Sequence, residues 1–132
     1  MIPELRTERL LLRGLKQDDF EAYARFHADS EVMRYISGHP VSRADAWRSL
    51  AVMIGHWALR GYGMWGVERV SDGAFVGRVG LWNPEGWPGL EVGWTLAKEF
   101  WGQGYATEAA RAAMKFAFLT QILRNKLNVY KH

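Results

Sequence analysis

A chain of 132 residues, 48% hydrophobic and 23% charged, suffices for one buried core, so a single domain over residues 1–132 is expected. With no cysteine it forms no disulfide, thiolate metal site or cysteine nucleophile, and His27, His39, His56 and His132 lack zinc-ligand spacing, so no metal is expected. The net charge of +3 is scattered among acids, Met1–Arg6 lacks a signal-peptide pattern and no apolar run is long enough to span a bilayer, so the expectation is a cytoplasmic protein with no nucleic-acid or membrane partner.

In chain order, Arg9 to Leu15 reads as a first strand through its run Leu10-Leu11-Leu12. Gln17-Asp18-Asp19 starts a helix to about Ala28, its acids suiting the positive end of the dipole, and Asp29-Ser30-Glu31 caps a shorter turn carrying Val32, Met33 and Ile36. Ser42-Arg43-Ala44-Asp45 resembles a capping box and opens a helix to Arg60, with Leu50, Ile54 and Trp57 on one side and Gly61 as its stop. Tyr62 to Val70 and Ala74 to Trp82 read as a hairpin about Ser71-Asp72-Gly73. Leu90 to Leu96 is a fourth strand, Tyr105 to Leu119 a helix with small residues at 106, 109, 110, 113 and 117, and Leu127 to Tyr130 a last short strand parallel to the fourth. The sum is an α+β fold, a mixed and mainly antiparallel sheet flanked by helices.

Between the fourth strand and that helix stands Trp101-Gly102-Gln103-Gly104-Tyr105-Ala106-Thr107. Glycines here let successive N–H groups face one concavity, and the first helical turn adds unpaired donors, an arrangement suited to phosphate. On spacing alone a plain strand-to-helix connection is the simpler reading. No Lys-Ser/Thr follows as in a P-loop, and no third glycine completes a dinucleotide fingerprint. Of the seven tryptophans, Trp47, Trp57, Trp65 and Trp94 fall in periodic segments that point them at a core, whereas Trp82 and Trp87, flanking the Asn83–Gly86 turn, stand open between a cleft wall and a dimer contact.

The segments Leu5-Arg6-Thr7-Glu8-Arg9-Leu10-Leu11-Leu12-Arg13, Phe75-Val76-Gly77-Arg78-Val79-Gly80-Leu81 and Glu91-Val92-Gly93-Trp94-Thr95-Leu96, with the glycine turn, resemble in order and spacing the GNAT superfamily of acetyl-CoA-dependent N-acetyltransferases, and within it the branch of ribosomal-protein N-terminal acetyltransferases. The family's pyrophosphate motif is Gln/Arg-x-x-Gly-x-Gly/Ala; Gly104-Tyr105-Ala106 supplies its second half and Trp101 stands at its polar first position. The resemblance implies a GNAT-like fold and acetyl-CoA as cosubstrate. It implies the pyrophosphate at Trp101, Gly102, Gln103, Gly104, Tyr105, Ala106 and Thr107, with the pantetheine arm along Trp94 and Leu96.

By the same resemblance Glu91 is the candidate general base for a primary amine acceptor, a protein N-terminus or a small amine, acting through a bridging water. A solvent-facing or salt-bridged strand residue is the other reading of Glu91. A backbone N–H near Thr95 or Leu96 is the candidate oxyanion donor, and Glu108 reads more simply as answering the helix dipole or ordering the preceding loop. Family members continue with a further helix and two strands, the helix often carrying a tyrosine acid and a cofactor-contacting asparagine. The chain is therefore expected to lack these, to be C-terminally truncated, to have an open strand edge at Leu127–Tyr130, and to form a homo-oligomer that covers it. A domain that binds CoA without efficient catalysis is the alternative.

Overall fold

The structure, a computed structural model, describes residues 1–120 and 122 and the strand backbone of Leu127–Val129. Six strands, β1 (Leu5–Arg6), β2 (Leu10–Arg13), β3 (Met64–Arg69), β4 (Phe75–Trp82), β5 (Leu90–Leu96) and β6 (Leu127–Val129), form one sheet in sequence order. All neighbours are antiparallel except β5 and β6, which run parallel. The expected mixed, mainly antiparallel sheet is present, with an additional two-residue strand, β1, too short to register as a periodic run. The expected end of the last strand, Tyr130, lies outside the described residues.

Four helices flank the sheet: α1 (Phe20–His27) after a 3-10 turn at Gln17–Asp19, α2 (Ser30–Met33), α3 (Arg43–Arg60) and α4 (Tyr105–Leu119). The Asp29 carboxylate caps α2 by accepting from the N–H of Glu31 and Val32. Ser42 caps α3 by accepting from Asp45 N–H, while the Asp45 side chain turns to Arg48. Gly61 ends α3 in the left-handed region at φ 79°, which glycine adopts without the Cβ penalty.

The sheet has a core on each face. Trp65, Val67, Val79, Leu81, Val92 and Leu96 pack with Ala109, Ala113 and Ala117 of α4, whose small side chains let its backbone lie close to the strands. On the other face Phe20, Tyr23 and Phe26 of α1, Leu50 and Met53 of α3, Met64 and Trp82 form the second cluster. The buried stripe of α3 is Ala46, Leu50, Met53 and Trp57, which corrects two expectations: Ile54 is 37% exposed and Trp47 is 48% exposed. Both lie outside the arc swept by positions 46, 50, 53 and 57, so helical geometry overrides their hydrophobicity. Trp57 and Trp65 meet edge to face at 5.0 Å, as their core assignment requires.

Close backbone packing fixes β4 against β5. A Cβ on Gly77 would stand 2.2 Å from the Thr95 carbonyl oxygen, so no side chain fits where β4 passes the end of β5. The Val67/Glu68 register shift in the facing strand lies opposite the same stretch.

Candidate active site

The parity of β5 sorts the expected site residues. Leu90, Val92, Trp94 and Leu96 lie against the α4-side cluster, so Glu91, Gly93 and Thr95 face α1 and α3. Pairing with β6 runs from Leu90 to Val92 and ends there, leaving the Gly93–Leu96 edge of β5 without a strand partner among the described residues. A backbone edge of this kind can pair with an extended polar chain.

Beyond that edge a 3-10 turn, Lys98–Phe100, leads into the glycine turn, with Gly102 at φ 76° and Gly104 at φ 80°. Both angles lie where a Cβ is strained, and they aim the chain at the start of α4. Among the described residues no protein acceptor meets the backbone N–H of Gly102, Gln103, Gly104, Tyr105, Ala106 or Thr107; the first bond of α4 is Glu108 N–H to the Gly104 carbonyl. Six successive donors at the positive end of a 15-residue helix are thus without a protein acceptor among the described residues.

Five of these donors belong to residues of a cleft of about 500 Å³ lined by Trp94, Leu96, Trp101, Gly102, Gly104, Tyr105, Ala106 and Thr107, eight of the nine expected cofactor residues. Gln103 does not line it; its carbonyl is tied down instead by Arg9 Nη1 at 2.9 Å. Tyr35 and Phe100 complete the wall. Tyr35 belongs to the loop after α2, and nothing in its local sequence points to this cleft. Trp101, the irregular position of the motif, donates from Nε1 to the Leu96 carbonyl at 2.9 Å and so fastens the turn to the end of β5.

A second brace comes from the chain's beginning. The Glu108 carboxylate accepts from Thr7 Oγ1 at 2.6 Å, Arg9 N–H at 2.9 Å and Arg9 Nε at 2.7 Å, and the Arg9 guanidinium lies 4.5 Å from the centre of the Tyr105 ring. Burial alone would raise the Glu108 pKa, but these donors hold it below the ordinary carboxylate value. Both readings of Glu108 have a structural counterpart: it stands in the first turn of α4, and it holds Arg9, which in turn bonds the Gln103 carbonyl of the preceding loop. Glu108→Ala is expected to cost about 1–2 kcal/mol of stability and to speed amide exchange at Arg9, whose N–H loses its acceptor, read by urea unfolding and hydrogen exchange.

Glu91 lies on the opposite face of the sheet from this cleft, 5% exposed, and its Oε2 accepts from Trp87 Nε1 at 2.8 Å. Trp87 is 45% exposed and roofs the carboxylate from the 83–89 loop, while Trp82 is buried, stacked on His56 at 4.4 Å. The two tryptophans therefore part company, one to the core and one to the candidate site. The expected cofactor residues and Glu91 thus lie on opposite faces of β5, and the sheet separates the cleft from the carboxylate. Among the described residues no cluster of three or more His, Asp or Glu gathers, and no helix is long and apolar enough to cross a membrane.

Residues 9–130 match the family model described as an acetyltransferase (GNAT) domain. The chain is 32% identical over 124 residues to the uncharacterized protein YkkB of Bacillus subtilis, covering 87% of this chain and 68% of that protein. It is 30% identical over 131 residues to the FsC-acetyl coenzyme A-N(2)-transacetylase of Aspergillus fumigatus, covering 88% of this chain and 53% of that one. The chain thus spans between about half and two thirds of these relatives. Among solved structures, an acetyltransferase from Agrobacterium tumefaciens superposes with a TM-score of 0.84 at 35% identity, over 93% of this chain and 71% of that one. The ribosomal-protein branch named from sequence is a more distant likeness: the RimL acetyltransferase matches at 16% identity and a TM-score of 0.73, over 92% of this chain and 67% of that one, which is similarity of fold alone.

Proposed function

The chain belongs to the GNAT acetyltransferase family, and on that premise we propose that it moves an acetyl group from acetyl-CoA to a primary amine by direct transfer. The observation that carries the reading is the row of N–H groups from Gly102 to Thr107 that meet no protein acceptor among the described residues, five of the six on residues that line one cleft, beside the Gly93–Leu96 edge of β5 that no described strand covers. Such a row suits a pyrophosphate, and the Gly93–Leu96 edge suits the amide-bearing arm that follows it.

Acetyl-CoA supplies the activated acetyl thioester. The backbone N–H of Leu96, which points to the unpaired edge while those of Thr95 and Ala97 point to β4, polarises its carbonyl, and Glu91, through a water, takes the proton that the amine loses as its nitrogen bonds to the acetyl carbon. The carbon–sulfur bond breaks, and CoA leaves as thiolate to be protonated to the thiol. The acceptor approaches from the α1 face, where Glu91 and Trp87 stand, and the acceptor is a protein N-terminus or a small amine.

Incubation with acetyl-CoA and an amine panel, following free thiol, tests this. Thiol release with at least one amine is expected; CoA binding with no release for any amine would assign the chain to cofactor binding alone. Self-association belongs to the same reading, motivated by the exposed Trp87 and by Phe118 and Leu119 on the last turn of α4. Sedimentation at micromolar concentration should find a dimer, and a monomer removes this part of the proposal.

A further inference from the structure

Arg78, on β4, is the most deeply buried cation of the α1 face, 6% exposed, and it meets no carboxylate. Its Nη1 donates to Tyr23 Oη at 2.6 Å and lies 3.2 Å from His27 Nε2. The other ring nitrogen of His27, Nδ1, stands 2.8 Å from the Tyr23 carbonyl. With its proton on Nδ1, His27 donates there and leaves Nε2 as an acceptor for Arg78. Burial, with Arg78 beside it, pushes His27 down to about 4, so it is neutral near pH 7. Tyr23 Oη in turn bonds Ser49 Oγ at 2.7 Å. Every hydrogen-bond partner of the guanidinium is neutral, the rings of Tyr23 and Phe26 lie 5.5 and 5.8 Å from its central carbon, and no anion among the described residues meets its charge.

A buried guanidinium in this state is costly unless a counter-ion meets it. Arg13, on the same sheet, shows the ordinary solution: its two terminal nitrogens grip Asp19 at 2.7 and 2.9 Å. For Arg78, neither Nε nor Nη2 has an acceptor among the described residues, and those two nitrogens form the side of the guanidinium whose parallel N–H bonds match the two oxygens of a carboxylate. Its place in the sheet gives the free fork a use. Arg78 pairs with Thr95, and Trp82 with Glu91, so the two rows lie four residues apart, about 14 Å along the strands. Gly93, without a side chain, stands between them on the same face.

We propose that Arg78 is a specificity determinant that receives a carboxylate of the acceptor, so that the substrates are amines bearing a carboxylate within a few bonds of the reacting nitrogen. The inference rests on the acetyl-transfer reading above. The carboxylate comes either from a free α-amino acid or from an acidic side chain beside a peptide N-terminus.

Thiol release is measured for four probes: a mixture of L-α-amino acids, the matching amino-acid carboxamides, and tripeptide amides with Asp or with Asn at the second position. The expected result is a tenfold or greater preference in kcat/KM for the acids over the carboxamides, or for the Asp over the Asn peptides, the pair that shows it identifying the source. Arg78→Met should erase the preference while acetyl-CoA affinity holds, and Arg78→Lys, keeping the charge without the fork, should retain only part of it. Equal rates for acid and amide in the native protein overturn the proposal, as does a variant that loses both rates yet keeps the ratio. If no amine is acetylated, the transfer reading fails separately, and the carboxylate site is read by thermal shift: stabilisation by the acids but not the amides, lost in Arg78→Met, supports it, and no stabilisation overturns it.

Discussion

Glu91→Gln should lower kcat/KM for acetyl transfer by about 10²- to 10³-fold with acetyl-CoA affinity unchanged, as expected when one positioned base is removed. The substitution is near-isosteric, and the amide oxygen of glutamine can still accept from Trp87 Nε1, which keeps that link to the 83–89 loop. The side chain projects away from the cleft that holds the unpaired N–H groups, and cofactor binding has no reason to change. Single-turnover thiol release and a CoA titration read the two quantities separately. A variant with native turnover would leave Glu91 a structural strand residue. Trp87→Phe removes the indole donor while keeping an aromatic roof, and should reduce turnover by a smaller factor.

The second large effect is on stability. The folded protein holds His27 down at about 4 because burial, and then Arg78, penalise its charged form, whereas in the unfolded chain it titrates near 6.5. Above pH 6.5 both states carry neutral His27 and stability is at its full value. As pH falls below 6.5 the unfolded chain binds a proton that the folded chain refuses, and stability declines until the folded pKa is passed near 4. The loss amounts to about 2 kcal/mol at pH 5 and about 3 kcal/mol by pH 4, from the shift of the unfolded and folded values. His56, also lowered by burial, acts in the same sense. Glu108, whose pKa is lowered, adds its own loss as pH falls below the ordinary carboxylate range, so the cleanest window is pH 7.5 to 5. Urea midpoints across it should slope steeply in the native protein and less in His27→Gln; equal slopes would rule out His27 as the source.

Much of this molecule was legible in its sequence where the physics is local. Strand β5 and helix α4 occupy Leu90–Leu96 and Tyr105–Leu119, the expected spans, because a run of β-favouring residues and an alanine-rich periodic segment are separated by two glycines that only a turn accommodates. The glycine turn and its cleft followed for the same reason. What the sequence could not reveal depends on contacts between remote segments. Parity on β5 puts Glu91 and Trp94 on opposite faces, but that this separates the proposed base from the proposed cofactor cleft requires knowing which helix covers which face. Trp47 and Ile54 show that hydrophobicity without a partner surface does not decide burial. Nothing in the Ala74–Trp82 segment shows that Tyr23 and His27 of α1 meet the Arg78 side chain.

The brace formed by Thr7, Arg9 and Glu108 joins positions 99 to 101 residues apart in the chain. Because Arg9 also holds the Gln103 carbonyl, the geometry of the anion-facing turn and the docking of the chain's first strands form one coupled equilibrium. Coupling of this kind is reciprocal. Any ligand that tightens the turn must therefore protect Thr7 to Arg9 from proteolysis and exchange by the same factor by which docking of that segment raises ligand affinity, although the segment lies outside the cleft lining. The start of the chain thus serves as a remote gauge of the occupancy of a site formed near its end.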